Sequence, residues 1–372
     1  MLNLLSKSPF YLRAAILLVG ICFFVYILYI GQEILIPLTF SAILSILLSP
    51  IVNFLEAKKV PRVWAILIPL VVAIFIILCI SGALLSEAGL FTKALPMLER
   101  KAHYFLDQLI PWLSDNFNID GGRINMMVTN ARNDIFNESS KLIGEVLFLI
   151  TNAFLVSLLI PIYVFMMLYY KTLVLEFIRQ FFDIKDHIRV GEIIIETKSI
   201  VKNYLVGLLI ETTAITLVYT ITLWAFGIKY ILLFGVIGAL LNIIPYVGGL
   251  ISIAFYMLLA FLTKESLSST LLIMAAGTVI QFIDKHYIIP FFVASKVNVN
   301  ALVSVIMILI GGALWGVSGM FLSIPFTGIM KVIFDRVPIM KPWGVLLGDK
   351  MPDHVKFNLV HKNTGKPVKK SK

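Results

Sequence analysis

Runs of some twenty apolar residues, separated by short polar or charged stretches, set the rhythm of this chain. A helix needs about 20 apolar residues, at 1.5 Å each, to cross a hydrocarbon core of roughly 30 Å. On that measure candidate spans fall at 11–30, 34–55, 63–86, 146–169, 204–226, 230–262, 268–293 and 300–334. The pattern predicts an all-α, polytopic integral membrane protein of about eight transmembrane helices. Segments 230–262 and 300–334 would each reach roughly 50 Å as straight helices, so each must tilt strongly, break or re-enter.

The stretches between the spans carry different periodicities. Within 87–145, Leu95, Leu98, Ala102, Phe105, Leu109 and Trp112 recur at alternating steps of three and four, an a/d stripe suited to an interfacial or subunit-packing helix that Pro111 bends or ends. Residues 170–203 interleave six basic and five acidic residues with regularly spaced apolar ones. They predict amphipathic helices on the cytoplasmic surface. The organisation expected is therefore 1–86 with three spans, 87–145 as extracytoplasmic or interfacial helices, and 146–169 as a fourth span. Cytoplasmic amphipathic helices at 170–203 follow, then a transmembrane core at 204–335 and a basic cytoplasmic tail at 336–372.

Composition agrees with a membrane protein and narrows the chemistry. Hydrophobic residues make up 59%, charged residues only 14%, and mean hydropathy is +0.96, where soluble domains carry about 25% charge. Cys22 and Cys79 sit in separate apolar runs, so neither a disulfide framework nor a zinc site is expected. No GxxxxGK[ST], HExxH or GxSxG sequence occurs, which argues against ATP hydrolysis and hydrolase chemistry. The chain is expected to be no enzyme and to need no cofactor or metal. Any transport would run on ion gradients or downhill diffusion.

The formal charge is +10. From Lys331 to Lys372 ten Lys/Arg face three Asp, which fits cytoplasmic placement and anionic lipid contact better than a nucleic-acid partner. The N-terminus, the loop 56–62 and the tail are basic while 31–33 is not, so both termini are expected in the cytoplasm of an inner (plasma) membrane protein. The run after Arg13 is too long for a signal peptide and lacks its cleavage pattern, so it is expected to stay as a first span.

Two stretches of the C-terminal half match one another. Gly235 to Gly249, "GVIGALLNIIPYVGG", and Gly316 to Gly328, "GVSGMFLSIPFTG", share G-V-x-G, a small polar residue, Ile-Pro and a following Gly. Asn242 pairs with Ser323, Pro245 with Pro325 and Gly248 with Gly328, an internal repeat in which Gly319 also falls on a matched position. Pro removes a helical N–H bond and Gly eases departure from helix, so each element can expose backbone polar groups, which is tolerated at membrane depth only inside protein or beside a cavity. Matched interruptions point to a transport pathway or to a pair of kinked packing helices, and duplication favours the first. Glu211 adds a carboxylate some 12 Å into a span that begins at Tyr204, with Thr212, Thr213 and Thr216 beside it.

In "QFIDKHYIIP", residues 281–290, helical spacing puts Gln281, Asp284 and Lys285 on one side of the helix, where Asp284 and Lys285 either neutralise one another or take separate partners. Gln281 and Asp284 are candidates to face the pathway near its outer mouth. Lys285 and His286 are candidates for headgroup anchors.

Taken in order, "PLTFSAILSILLSPIVNFLEAKKVPRVWAI", "NYLVGLLIE", "NIIPYVGG", "QFIDKHYIIP" and "GGALWGVSGMFLSIP" make the chain similar to the autoinducer-2 exporter family, the PerM-like permeases. The resemblance implies a multi-span inner-membrane protein, a homo-oligomer such as a pentamer, and efflux of a small signalling molecule or other small solute. For some relatives it implies monovalent-cation/proton antiport. The pathway expected combines Glu211, Asn242, Pro245, Gly248, Gly249, Gln281, Asp284, Pro290, Gly316, Gly319, Ser323 and Pro325. The competing readings are a cation/proton antiporter using Glu211 or Asp284, and a non-transporting membrane scaffold that recruits partners through its surface helices.

Overall fold

The computed structural model describes residues 9–117, 159–242, 248–263, 267–292 and 299–349. Among them the structure is helical throughout, with one isolated β-bridge between Val299 and Gly348. Helix α1 (Phe10–Ile30) is apolar on all sides and exposed along most of its length, as a lipid-facing helix is. It breaks at Gly31 into α2 (Gln32–Ala57). The third helix, α3 (Arg62–Phe117), is 56 residues long.

That length corrects two expectations. Neither the span boundary at 86 nor Pro111 interrupts α3, which runs through Pro69, Pro96 and Pro111 alike. A proline removes one hydrogen bond and bends a helix locally, and the helical propensity of "ALPMLERKAHYFLDQL" carries the chain past it. The remainder of the segment expected at 87–145, and 146–158 of the fourth span, lie outside the described residues. So do the side chains of the a/d stripe.

Helix α4 (Leu159–Tyr169) is bent by 65° from α5 (Lys171–Gln180). After a short 3₁₀ turn, α6 (His187–Ala225) runs 39 residues without a break at 203/204, so the second half of the amphipathic region, 187–203, and the following span are one helix of about 58 Å. Its lower half is fixed by Arg336, which pairs with both Glu192 and Glu196. Among the described residues five helices are long and apolar enough to cross a membrane, or up to six if the bent α4–α5 pair counts as one span.

The two overlong segments both fold back. Helices α7 (Ile231–Asn242) and α8 (Gly248–Thr263) are antiparallel: Ser252 Oγ donates to the Gly238 carbonyl at 2.9 Å, and Tyr256 Oη to the Phe234 carbonyl at 3.0 Å. Residue numbers in each pair sum to the same value, the register of a hairpin. At 12 residues, about 18 Å, α7 is too short to span. Helix α9 (Leu267–Ile283) then passes through a π-helical turn at Asp284–Ile288 into α10 (Ile289–Phe292).

The last long helix, α11 (Ala301–Arg336), contains a reversal at Trp315 (φ −132°, ψ 21°) and Gly316 (φ 59°, ψ −141°). Only glycine adopts the second conformation without strain. Its arms, 301–314 and 317–336, return against each other: a Cβ on Gly311 would overlap the Gly319 carbonyl, and one on Gly319 would overlap the Gly311 carbonyl. Eight residues of straight helix would hold these two some 12 Å apart. At the open end, Asn300 bonds Leu346, Leu347 and Gly348 around α12 (Lys341–Leu347), while Gly348 also sits against Lys331. Both arm ends therefore meet the same short helix. The matched Gly/Pro stretches are not placed alike, because α7 ends at Asn242 and the antiparallel α8 starts at Gly248 in the first, while the second reverses at Gly316, nine residues before Pro325.

Three apolar clusters hold these pieces together. One joins α6 to the α7–α8 hairpin and α9 through Ile215, Tyr219, Phe234, Tyr256 and Ile273. A second joins α2 and α6 to the α11 hairpin through Ile43, Tyr204, Leu205 and Leu322. The third packs α2, α3 and α4. Helix α6 thus stands between the two hairpins.

Candidate functional site

The strongest polar constellation in the described residues gathers where α6, the end of α7, the start of α8 and the π turn meet. Glu211 on α6 is 4% exposed, Gln281 on α9 is 3% and Asp284 is fully buried. A carboxylate at the centre of a membrane costs about 2.5–3.5 kcal/mol even on the lenient insertion scale, so two side by side need partners. Asn242 supplies them, its Nδ2 donating to Asp284 Oδ2 at 2.6 Å and to Glu211 Oε1 at 3.5 Å. Its Oδ1 accepts from Gln281 Nε2 at 3.2 Å, and the same nitrogen donates to Tyr219 Oη at 2.7 Å.

The amide donors of this network are used up. Both amide hydrogens of Asn242 and both of Gln281 are committed, yet Gln281 Oε1 and Asp284 Oδ1 are buried without a hydrogen-bond partner. An unsatisfied buried acceptor costs roughly 1–3 kcal/mol. The arrangement is suited to a ligand that brings donors or positive charge.

Local structure explains why these side chains converge. Glu211, Ile215 and Tyr219 are four residues apart on one buried stripe of α6. Gly235 and Gly238 let α7 lie close, since a Cβ at either would overlap Thr220 Oγ1 or Tyr256 Oη respectively. Gly249 does the same for Gln281, whose Oε1 occupies the place of the missing Cβ, and Gly248 abuts the Leu241 carbonyl. The π turn widens the helix by one residue at Asp284, a form found mostly at functional sites. Asp284 points inward there while Lys285, His286 and Tyr287 are exposed. Asp284 and Lys285 form no direct ion pair: Asp284 turns to Asn242 and Lys285 to the outside.

Of the expected pathway residues, Glu211, Asn242, Gly248, Gly249, Gln281 and Asp284 come together. Gly316, Gly319, Ser323 and Pro325 do not join them. Gly316 forms the reversal of α11, Gly319 packs on Gly311, Ser323 Oγ bonds the Met320 carbonyl at 2.6 Å, and Pro325 is buried in the second arm. Pro290 lies in α10, past the cluster. Pro245 lies outside the described residues. Sequence reasoning missed Tyr219, which is eight residues, two turns, beyond Glu211 and so on the same stripe.

Comparison with known proteins decides the family. The sequence profile of the AI-2E family transporters matches residues 17–339. The chain belongs to that family. Among AI-2E relatives and similar proteins, YrrI of Bacillus subtilis, named as a candidate transport protein, is 30% identical over 35% of this chain and 36% of its own. A candidate transport protein of Borreliella burgdorferi is 25% identical over 88% of this chain and 89% of its own. The AI-2 transport protein TqsA of Escherichia coli is 25% identical over 86% of this chain and 90% of its own. AI-2E membership and the apolar helices make this a polytopic membrane protein of a transporter family, and its relatives' names are those of transporters and permeases, not of enzymes.

Proposed function

We propose that the chain is a secondary transporter that exports a small, hydroxyl-rich polar solute or signalling molecule of the autoinducer-2 kind. The observation that carries this reading is the donor-poor cluster at the tip of the α7–α8 hairpin, with Asp284 Oδ1 and Gln281 Oε1 unpartnered. Hydroxyl groups from a solute would satisfy both. A helix pair too short to cross ends at this cluster, so its tip brings polar groups to membrane depth, as discontinuous helices do in secondary transporters. The inner membrane as location, cytoplasmic termini and assembly as a homo-oligomer such as a pentamer belong to the same proposal.

Flux of a radiolabelled neutral polyol from proteoliposomes tests it. Glu211→Ala and Gly248→Leu are each expected to slow efflux by about tenfold or more. Wild-type rates in both variants would remove the cluster from the pathway.

A second reading has its own support: two carboxylates share one Asn242 amide, an arrangement suited to exchanging protons for a monovalent cation. It expects Na⁺ or K⁺ pulses to collapse a preset proton gradient in vesicles, and Glu211→Gln to abolish the response. Polyol flux with no gradient response would exclude it.

A further inference from the structure

Away from that cluster, at the end of α2 that the basic stretch 58–62 follows, three lysines gather with no ion-paired carboxylate among the described residues. Among the described residues the other half-buried Lys and Arg are paired: Arg62 with Glu56, Arg336 with Glu192 and Glu196, Lys331 with Asp335. The exposed Arg179, Lys185 and Arg189 are paired too. Lys171, Lys198 and Lys202 are all half-buried, and among the described residues none lies within ion-pair distance of an acid. Other lysines lacking an acid partner, such as Lys58, Lys229 and Lys285, are exposed to their surroundings.

Neutral groups hold the three in place. Lys198 Nζ donates to Ser49 Oγ at 2.8 Å, and Lys171 Nζ donates to Asn53 Oδ1 at 3.5 Å. Ser49 and Asn53 are one turn apart on α2, so the two ammonium groups are held along the same face of that helix. Lys202 lies one turn beyond Lys198 on α6, and the charges of both Lys171 and Lys202 act on Lys198. Each ammonium has three donors and spends at most one on these contacts. Three mutually repelling, partly desolvated cations with spare donors fit a compact anion with several acceptor oxygens, and Lys binds phosphate as a point charge.

We propose that Lys171, Lys198 and Lys202 hold the phosphate of an anionic lipid headgroup from the leaflet at this end of the protein, joining α2, α5 and α6 through the lipid. The site is separate from the Glu211–Asp284 cluster and stands independently of the solute that cluster takes.

Native mass spectrometry of the purified full-length protein tests it, with phosphatidylglycerol and phosphatidylcholine titrated in parallel. Wild-type protein is expected to retain phosphatidylglycerol preferentially, and the triple Lys→Gln variant to lose about tenfold or more of that preference. Lys185→Gln, which removes an exposed and paired charge, is expected to behave as wild type. Lys202→Gln removes a charge without removing a hydrogen bond and is expected to lose the preference several-fold, so it carries the test should the triple variant not fold. Undiminished phosphatidylglycerol retention in Lys202→Gln or the triple variant overturns the site. Displacement of the lipid by millimolar inorganic phosphate would replace the headgroup with a soluble phosphate as the occupant.

Discussion

Asn242 is the residue on which the polar cluster turns, because it donates to two buried carboxylates at once and accepts from Gln281. Asn242→Ala leaves Asp284 without its 2.6 Å donor. Hydrogen bonds to charged groups contribute about 1.5–3 kcal/mol, so the expected outcome is a loss of that order, read as a lower unfolding midpoint in detergent. Gly249→Ala tests the close approach instead: the added methyl overlaps Gln281 Oε1, and displacing Gln281 is expected to slow solute flux by about tenfold with little change in the unfolding midpoint. Glu211, Asn242, Gln281 and Asp284 were legible in the sequence because a polar group in an apolar run needs a partner. Tyr219 was not, since a tyrosine in a span is ordinary and only its register with Glu211 gave it away. The π turn at Asp284–Ile288 was also hidden, because helical spacing assumes 3.6 residues per turn and gives no sign of a local departure from it.

At the scale of elements, the sequence showed which segments were too long to cross once but not where they reverse. Gly and Pro mark both, yet the chain turns at Gly316 in one, whereas in the other α7 ends at Asn242 and the antiparallel α8 starts at Gly248, so matched residues need not occupy matched positions. Packing decides: Gly311 and Gly319 allow backbone contact only if the reversal lies midway between them. Gly311→Val is expected to separate the arms and destabilise the protein by more than about 2 kcal/mol, checked by its unfolding midpoint against that of Gly277→Val, where nothing lies near the added atoms. The α7–α8 hairpin has a second anchor at its base, where Glu87 of α3 accepts from the Leu233 N–H at 2.7 Å and Tyr230 Oη donates to the Leu90 carbonyl at 3.3 Å. A carboxylate there satisfies a free first-turn N–H and complements the helix dipole. Glu87→Ala is expected to lower hydrogen-exchange protection of the first turn of α7 by about 1 kcal/mol.

For the whole molecule, the fold-back of α11 makes a long-range distance that a straight rod cannot. Spin labels at Leu302 and Asp335 are expected to lie within about 30 Å of each other, whereas 33 residues of uninterrupted helix would put them about 50 Å apart. Electron–electron resonance distance measurement distinguishes the two. The membrane class and helical fold were legible because composition and run length follow directly from the bilayer as solvent. The continuity of α3 and α6 was not, since local charge and proline mark where a helix changes surroundings and not where it ends.

Trp315 occupies the reversal of α11, and its indole Nε1 donates to the Leu28 carbonyl of α1 at 3.0 Å. The hairpin tip is thus latched by an optical probe. Four of the chain's five tryptophans can be replaced by phenylalanine, and the emission of the one that remains then reports in real time whether that latch opens while solute moves.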